Sequence, residues 1–449
     1  MKHGRTIRAG HDGGQGGARC HSRREFLFLQ GPPGPFFRLL GHQLATRGHG
    51  VHRINLSGGD RYDWNEANTR DYRGTMREWP MFFDRFVQDR GITDVVLFGD
   101  CRPMHQAALR LARLRGIHIH VFEEGYIRPD WMTLERDGVN GHSRFQRDPE
   151  VIAATASWLP PIPQLPTITA QFSRRARDSF WHYCHVVLGK WRFPFYSSHR
   201  QGSITLDGIG WLLRFARSSR RLRQAEQTLG QIAGRKFFLF TLQLTGDYQI
   251  RAHSPFSSMG VAADYVLESF ARHAPEDCLL VVKEHPLDSG YRNWRAWLSR
   301  RARRLGIADR IVHIDGGDLQ ALAQESCGMV CVNSTSGTLG LEVGIPVIVL
   351  GDAVYDVPGI THQAGLDQYW STPELPDRAL YDAFKRTLHA QCLVRGGLAS
   401  ESAIRILVRN SVERLLADDV VPQAKRDFRV VGQGAAGTTP VSSGRRLKP

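Results

Sequence analysis

The stretch "TDVVLFGDCRPMHQAALRLARLRGIHIHVFEEGY", residues 93 to 126, constrains the fold more than any other. A short apolar run gives way to a polar loop, then to apolar side chains at helical spacing, then to a second apolar run. Two buried strands joined by an amphipathic helix form a β-α-β unit, in which the strands are parallel and the helix covers one face. The same alternation precedes it. "EFLFLQG" reads as a buried strand, "FFRLLGHQLATRGHG" as a helix with Phe37, Leu40 and Leu44 on one face, and "VHRINLSGGD" as the next strand and loop. Repeated β-loop-α-β predicts a doubly wound, largely parallel sheet, whose ligands bind beyond the carboxyl ends of the strands. Gln30 to Gly34, Gly99 to Arg102 and Glu123 to Arg128 all fall at such ends, so three polar loops are expected to converge on one crevice.

A second series begins near residue 233. "KFFLFTLQL", "CLLVVKEHP" and "RIVHID" read as strands separated by helices, and "GMVCVNSTSGTLGLEVGIPVIVLG" reads as strand, loop, helix, strand. The predicted fold class is therefore α/β and GT-B-like, with two Rossmann-like domains facing each other across a cleft. A chain of 449 residues exceeds one ordinary core and suits two. The expected divisions are a disordered basic leader (1–24), an N-terminal Rossmann-like domain (25–150), and a Pro-rich connection with basic aromatic helices (151–232). A C-terminal Rossmann-like domain with the final helix (233–425) and a flexible tail (426–449) complete them. The last helix, within "ASESAIRILVRNSVERLL", is in position to cross back to the first domain.

Composition narrows the partners. The formal net charge of +15 favours anionic surfaces or substrates. Much of it is clustered in "FSRRARDSFWHYCHVVLGKWRF" and "WLLRFARSSRRLRQ", where Arg and Lys alternate with aromatics. Basic amphipathic helices on an anionic membrane fit that pattern; a linker helix with its aromatics packed inward fits it as well. No recognised nucleic-acid module is present, and a nucleic-acid partner would leave the paired α/β series unused. No apolar run reaches the length of a membrane span. The seven cysteines show neither a disulfide framework nor zinc-ligand spacing, so reduced thiols and no metal are expected.

Four stretches carry residue types suited to chemistry. Ser334, Thr335, Ser336 and Gly337 turn from a strand into a helix, where backbone N–H groups and hydroxyls can cradle an anion; helix capping alone would also use them. Glu342 follows on that helix as a candidate acceptor for ribose hydroxyls. Lys283, His285 and Pro286, at the end of another strand, suit a grip on a phosphate, or merely a surface turn. Gln243, Asp247, Gln249 and His253 border the expected cleft, and Asp100, Arg102 and His105 lie near the first crevice. The sharpest candidates are Glu123 and Glu124. A carboxylate facing an anomeric carbon acts as nucleophile or general base, and Arg128 is placed to keep one of the pair ionised, or simply to brace the loop as an ion pair.

Together these motifs resemble the KpsS/LipB-type capsule polysaccharide biosynthesis and export family. The matching stretches, in order, are "LQGPPGPFFRLL", "NLSGGDRYDW", "FGDCRP", "VFEEGYIRPDWMTLERDGVNGHS", "LQLTGDYQI", "HSPF", "KEHPLDSGYR", "VNSTSGTLGLEVGIPVIVLG" and "VYDVPGITHQ". The resemblance implies a retaining β-Kdo transferase that uses CMP-β-Kdo and a (lyso)phosphatidylglycerol acceptor, with no other cofactor. It would be cytoplasmic and peripheral on the inner face of the inner membrane, with a second capsule Kdo transferase and the export machinery as further partners. By the same resemblance Glu124 aligns with the catalytic Asp of a Glu-Asp-Gly-Phe motif, and Lys283, His285 and the Ser334–Ser336 loop match CMP-binding elements; Glu123, Arg128 and Asp247 complete the candidate catalytic set from their own positions at the strand end and the cleft border. The alternative is a non-catalytic component of a capsule polysaccharide export complex.

Overall fold

The computed structural model describes residues 23–197, 218–244, 248–285, 288 and 292–417. The expected leader up to residue 22, the tail, the first half of "WLLRFARSSRRLRQ", Asp247 and Pro286 lie outside the described residues.

The first unit is built on a seven-stranded sheet. Its strands are β1 (Glu25–Phe28), β2 (Gly50–Asn55), β3 (Thr69–Asp71), β4 (Asp94–Phe98), β5 (His118–Glu124) and β6 (Trp131–Arg136), joined by one strand from near the end of the chain. The second unit holds β7 (Phe237–Thr241), β8 (Leu279–Lys283), β9 (Ile311–Ile314), β10 (Gly328–Cys331) and β11 (Val347–Val349). The late strand, β12 (Leu393–Arg395), belongs to the first sheet. The two sheets share one winding. From β3 the first runs β3-β2-β1-β4-β5, and from β9 the second runs β9-β8-β7-β10-β11, all parallel within these runs. This is the Rossmann order, and each sheet has its crevice where the winding reverses, between β1 and β4 and between β7 and β10.

Strand alternation decides what covers each face. In β1, Phe26 and Phe28 pack with the helix Phe36–Ala45 and the final helix Glu401–Leu416, while Leu27 packs on the opposite side with the helices Trp79–Asp89 and Pro103–Leu114. Phe238 and Phe240 of β7 face the helices Met259–His273 and Trp294–Arg304, and Phe237 and Leu239 face the helix Arg378–Gln391. Burying each such side chain contributes about 1.5–3 kcal/mol.

Three features depart from the expected layout. β6 is a strand the sequence patterning left unassigned, and it runs antiparallel to β5 with Glu124 opposite Met132. "EEGYIRPDW" is therefore a hairpin within the sheet. The final helix crosses back to the first unit, as its position allows, and β12 goes with it, so the 233–425 segment is divided between the two units. The segment 151–232 is also shared out rather than forming a free connection. The helix Pro149–Ser157 gives Ile152 and Ala156 to the core of the second unit, and the helix Phe172–Leu188 docks on the first. That docking explains "SGG". A Cβ on Gly58 would lie 2.1 Å from the His185 carbonyl oxygen, and one on Gly59 would lie 2.6 Å from the His182 ring. His182 Nδ1 also pairs with Asp63 Oδ2 at 2.6 Å.

Candidate active site

Glu123 and Glu124 end β5, and strand geometry sends their side chains to opposite faces. They are not a side-by-side acid pair. Glu123 follows Ile119 and Val121 toward the face covered by the helix Pro103–Leu114, and Glu124 follows Phe122 toward the other. Burial pushes the Glu123 carboxyl up to about 7, against a hydrogen bond it accepts from the Glu124 backbone N–H at 3.0 Å. Gly99 makes room for it, since a Cβ there would stand 3.2 Å from Glu123 Oε2. Glu124 meets a different cation from the one expected. Arg175, on the docked helix Phe172–Leu188, pairs with its Oε1. Arg128 is exposed, and among the described residues its Nε reaches only the Gly125 carbonyl, at 3.4 Å. The hairpin turn carries Arg128 out to solvent while the helix from 172 delivers Arg175 to the strand end.

The neighbouring strand end, after β4, holds Asp100 and Arg102. Arg102 precedes the helix Pro103–Leu114, and burial lowers its guanidinium below the usual range. Among the described residues it forms no ion pair, so a half-buried cation stands in the crevice beside Glu123. His105 is structural. It is fully buried, donates from Nδ1 to the Gly99 carbonyl at 2.6 Å, and is held neutral by burial with its pKa pushed down to about 3.

Across the cleft, the turn after β10 is tightly organised. Ser336 donates its backbone N–H to Ser334 Oγ at 3.1 Å, and the Ser336 hydroxyl lies 2.8 Å from Ser334 Oγ and 3.0 Å from Thr241 Oγ1. Tyr355 donates to the Ser334 carbonyl, and a Cβ on Gly337 would sit 2.3 Å from the Tyr355 hydroxyl oxygen. Gly337 is the residue that lets this turn close. Gln243 and Asn333 exchange hydrogen bonds at 2.8 and 3.2 Å, tying the end of β7 to the end of β10. The helix Ser336–Val343 closes on Gly344 at φ 80°, as the Gly-Ile-Pro sequence requires.

The two walls touch. Thr338 Oγ1 lies 3.4 Å from the Tyr126 carbonyl, and the Tyr126 side chain belongs to the core of the second unit. Asn140 Nδ2 donates to Gln249 Oε1 at 3.2 Å, and Arg147 pairs with Asp352 at 3.2 Å. The EEGY hairpin and the Ser-rich turn thus face one cleft. Lys283 ends β8 beside them, with its Nζ donating to the Gly316 carbonyl, and His285 follows it half-buried. Glu342 does not join them. Six residues at about 100° each put it roughly 240° round the helix from Ser336, where it is exposed and pairs with Lys385 at 3.2 Å.

The residues that patterning passed over are Arg175, Tyr126, Cys101 and His142. Asp100 Oδ2 accepts from His142 Nδ1 at 3.0 Å, and Cys101 Sγ lies 3.2 Å from Asp100 Oδ1 and 3.1 Å from His253 Nε2. These side chains come from both units, and "GDC", "NGHS" and "HSPF" are the sequence marks that carry them.

A GT-B-like architecture with polar loops at both winding reversals defines the class: a two-domain, glycosyltransferase-like fold whose candidate site lies between the sheets. The chain belongs to the capsule polysaccharide biosynthesis protein family, whose model matches residues 93–398. It is 30% identical over 367 residues to the capsule polysaccharide export protein KpsS of Escherichia coli, covering 81% of this chain and 94% of that one. It is 33% identical over 376 residues to the capsule polysaccharide modification protein LipB of Neisseria meningitidis serogroup B, covering 81% and 89%. Among solved structures it is similar to Thermosulfurimonas dismutans KpsC, a beta Kdo 2,7 transferase, with a TM-score of 0.42 and 14% identity over 86% of this chain and 99% of that one.

Proposed function

We propose that this chain is a retaining glycosyltransferase that moves Kdo from CMP-β-Kdo to a (lyso)phosphatidylglycerol acceptor, starting the linker of a lipid-anchored capsule. The observation that carries this reading is the abutment of the Glu123–Glu124 hairpin and the Ser334–Gly337 turn across one cleft, with Thr338 against the Tyr126 carbonyl.

The residues then divide the work. The donor is anionic, with a phosphate and a sugar carboxylate. The first turn of the helix Ser336–Val343, the hydroxyls of Ser334 and Ser336, and Lys283 and His285 receive the CMP phosphate and offset its growing charge as it leaves. Arg102, a half-buried cation without an ion-pair partner among the described residues, suits the sugar carboxylate. Glu124, aimed by Arg175, attacks C2 of Kdo; the bond from C2 to the phosphate oxygen breaks, and its electron pair departs with CMP. The acceptor hydroxyl then attacks C2 from the opposite face and releases Glu124. Its proton passes to Glu123, whose pKa of about 7 suits a group that must accept and return a proton near neutrality. Two inversions give retention.

The outer surface supports an anionic membrane as the place of work. Phe180, Trp181, Leu188, Trp191 and Phe195 are exposed, Trp191 at 78%, while Phe193 is buried, so only part of the aromatic set of this basic segment packs inward. Next to Trp191, Arg192 helps to line a hollow of about 730 Å³ with Arg61, Arg70, Arg73 and Arg85, and the last three of these form no ion pair among the described residues. A hollow lined by five arginines, one of them the chain neighbour of the exposed Trp191, suits phospholipid headgroups. Among the described residues no helix is long and apolar enough to cross a membrane.

The test is incubation of the purified chain with CMP-Kdo and fluorescent lysophosphatidylglycerol, beside Glu124→Gln. A Kdo-lipid formed by the parent and absent from the variant is expected. No product from the parent, together with retention of a capsule-export partner, would transfer the chain to the non-catalytic reading.

A further inference from the structure

We infer that Asp100, Cys101, His142 and His253 form a binding site for a zinc-class divalent cation that ties the two units together at the cleft. One ligand atom from each of these four residues can be chosen so that all lie within 4.8 Å of one another. Three neighbouring pairs are already close, at 3.0, 3.1 and 3.2 Å. A tetrahedral site with bonds of 2.0–2.3 Å needs ligand separations of about 3.3–3.7 Å, so the widest pair must close by about an ångström and the nearest spread by a few tenths. Side-chain rotation can supply that. The ligand chemistry is also selective. One thiolate, one carboxylate and two neutral imidazoles balance a divalent charge, and a mixed sulfur–nitrogen set favours zinc over magnesium or calcium.

Burial argues for a built site. Asp100, Cys101 and His253 are buried, and His142 is half open to solvent, which leaves a path of entry. The supporting shell is in place as well. The Val139 N–H donates to Asp100 Oδ2 at 3.1 Å, and the His253 carbonyl accepts from Asp352 N–H at 2.6 Å and Asn333 Nδ2 at 3.2 Å. Two glycines allow the approach. A Cβ on Gly141 would lie 2.4 Å from His253 Nδ1, and one on Gly351 would lie 2.7 Å from the His253 carbonyl oxygen. His253 comes from the second unit and the other three residues from the first, so the cation holds the cleft at a fixed opening beside Glu123.

The experiment uses the full chain, stripped with a chelator and titrated with zinc or cobalt alone. About one ion per chain is expected, with the intense visible bands of tetrahedral cobalt and a thiolate-to-cobalt absorption in the near ultraviolet. Cys101→Ser should abolish the thiolate absorption, and His142→Ala, on a half-exposed turn that tolerates the change, should weaken binding at least about 100-fold. A Cys20→Ser/Cys184→Ser/Cys327→Ser variant, which removes the less buried and undescribed thiols, should keep the whole spectrum. Sub-stoichiometric binding, or a cobalt spectrum unchanged in Cys101→Ser and His142→Ala, overturns the site and leaves a hydrogen-bonded latch only.

Discussion

Replacing Glu123 with Gln should make the protein relatively more stable as the pH rises. Burial raises the Glu123 carboxyl from its ordinary 4.5 to about 7, so the folded state holds a proton that the unfolded state has lost. A raised folded value adds stability that is complete below the unfolded pKa and disappears as the pH climbs through the folded one. At pH 5 the parent gains a factor of about 77 in its folding constant from this group and at pH 8 about 1.1, a difference of about 2.5 kcal/mol. Gln retains an oxygen for the Glu124 N–H and has no such dependence. The melting temperature of Glu123→Gln minus that of the parent should therefore climb by roughly 5–10 °C between pH 5 and pH 8, for units of this size. Differential scanning fluorimetry across matched buffers reads it. A difference that stays level over that range would refute the argument that a buried, proton-holding Glu123 stands at the strand end.

Arg175→Met should lower transfer activity about 10- to 100-fold with little change in melting temperature, because the ion pair with Glu124 is partly open to solvent, and Arg175→Lys should recover part of the loss. Gly58→Ala should destabilise by about 1–3 kcal/mol and expose the helix Phe172–Leu188 to limited proteolysis, since the new Cβ would strike the His185 carbonyl oxygen at 2.1 Å. Tyr355→Phe removes the donor to the Ser334 carbonyl and should weaken CMP binding several-fold by calorimetry, at a stability cost of about 1–2 kcal/mol. Trp181→Ala with Trp191→Ala should lower partition onto vesicles containing phosphatidylglycerol about tenfold or more, and neither parent nor variant should partition onto neutral vesicles at moderate salt.

Much of the fold was legible because local patterning and winding agree. β1, β4, β5, β7, β8 and β10 are short apolar runs ending in polar loops, and their length with their β-branched and aromatic content favours strands buried on both faces over helix segments. β6 escaped because "WMTLER" follows a six-residue turn rather than a helix, and nothing local distinguishes a hairpin return there from an irregular loop. β3 and β12, at three residues each, are too short to show a period. The return of the last helix was readable only as a possibility of position. What decides it is the apolar face of Ile404, Leu407, Val408 and Leu415, which needs Phe26 and Phe28 to cover it.

The site was legible to the extent that one strand end could state it. "EEGY" placed two carboxylates at a crevice from sequence alone, but alternation along β5 then splits them, one toward Arg102 and one toward Arg175. Position 128 lies close in sequence and points out to solvent, while position 175 is distant and arrives on a helix whose docking depends on Gly58 and Gly59. Sequence proximity is therefore a poor guide to which cation faces a carboxylate at a hairpin, because the turn that follows rotates its own residues away from the strand end. The Asp100–Cys101–His142–His253 group makes the same point across units. Its members span more than 150 residues, and no ligand-spacing rule applies to them. They meet because both sheets reverse their winding at the same cleft, so that the loop after β4 and the segment after β7 share one space. Chemistry assembled at a winding reversal has to be read from topology first and from motif second.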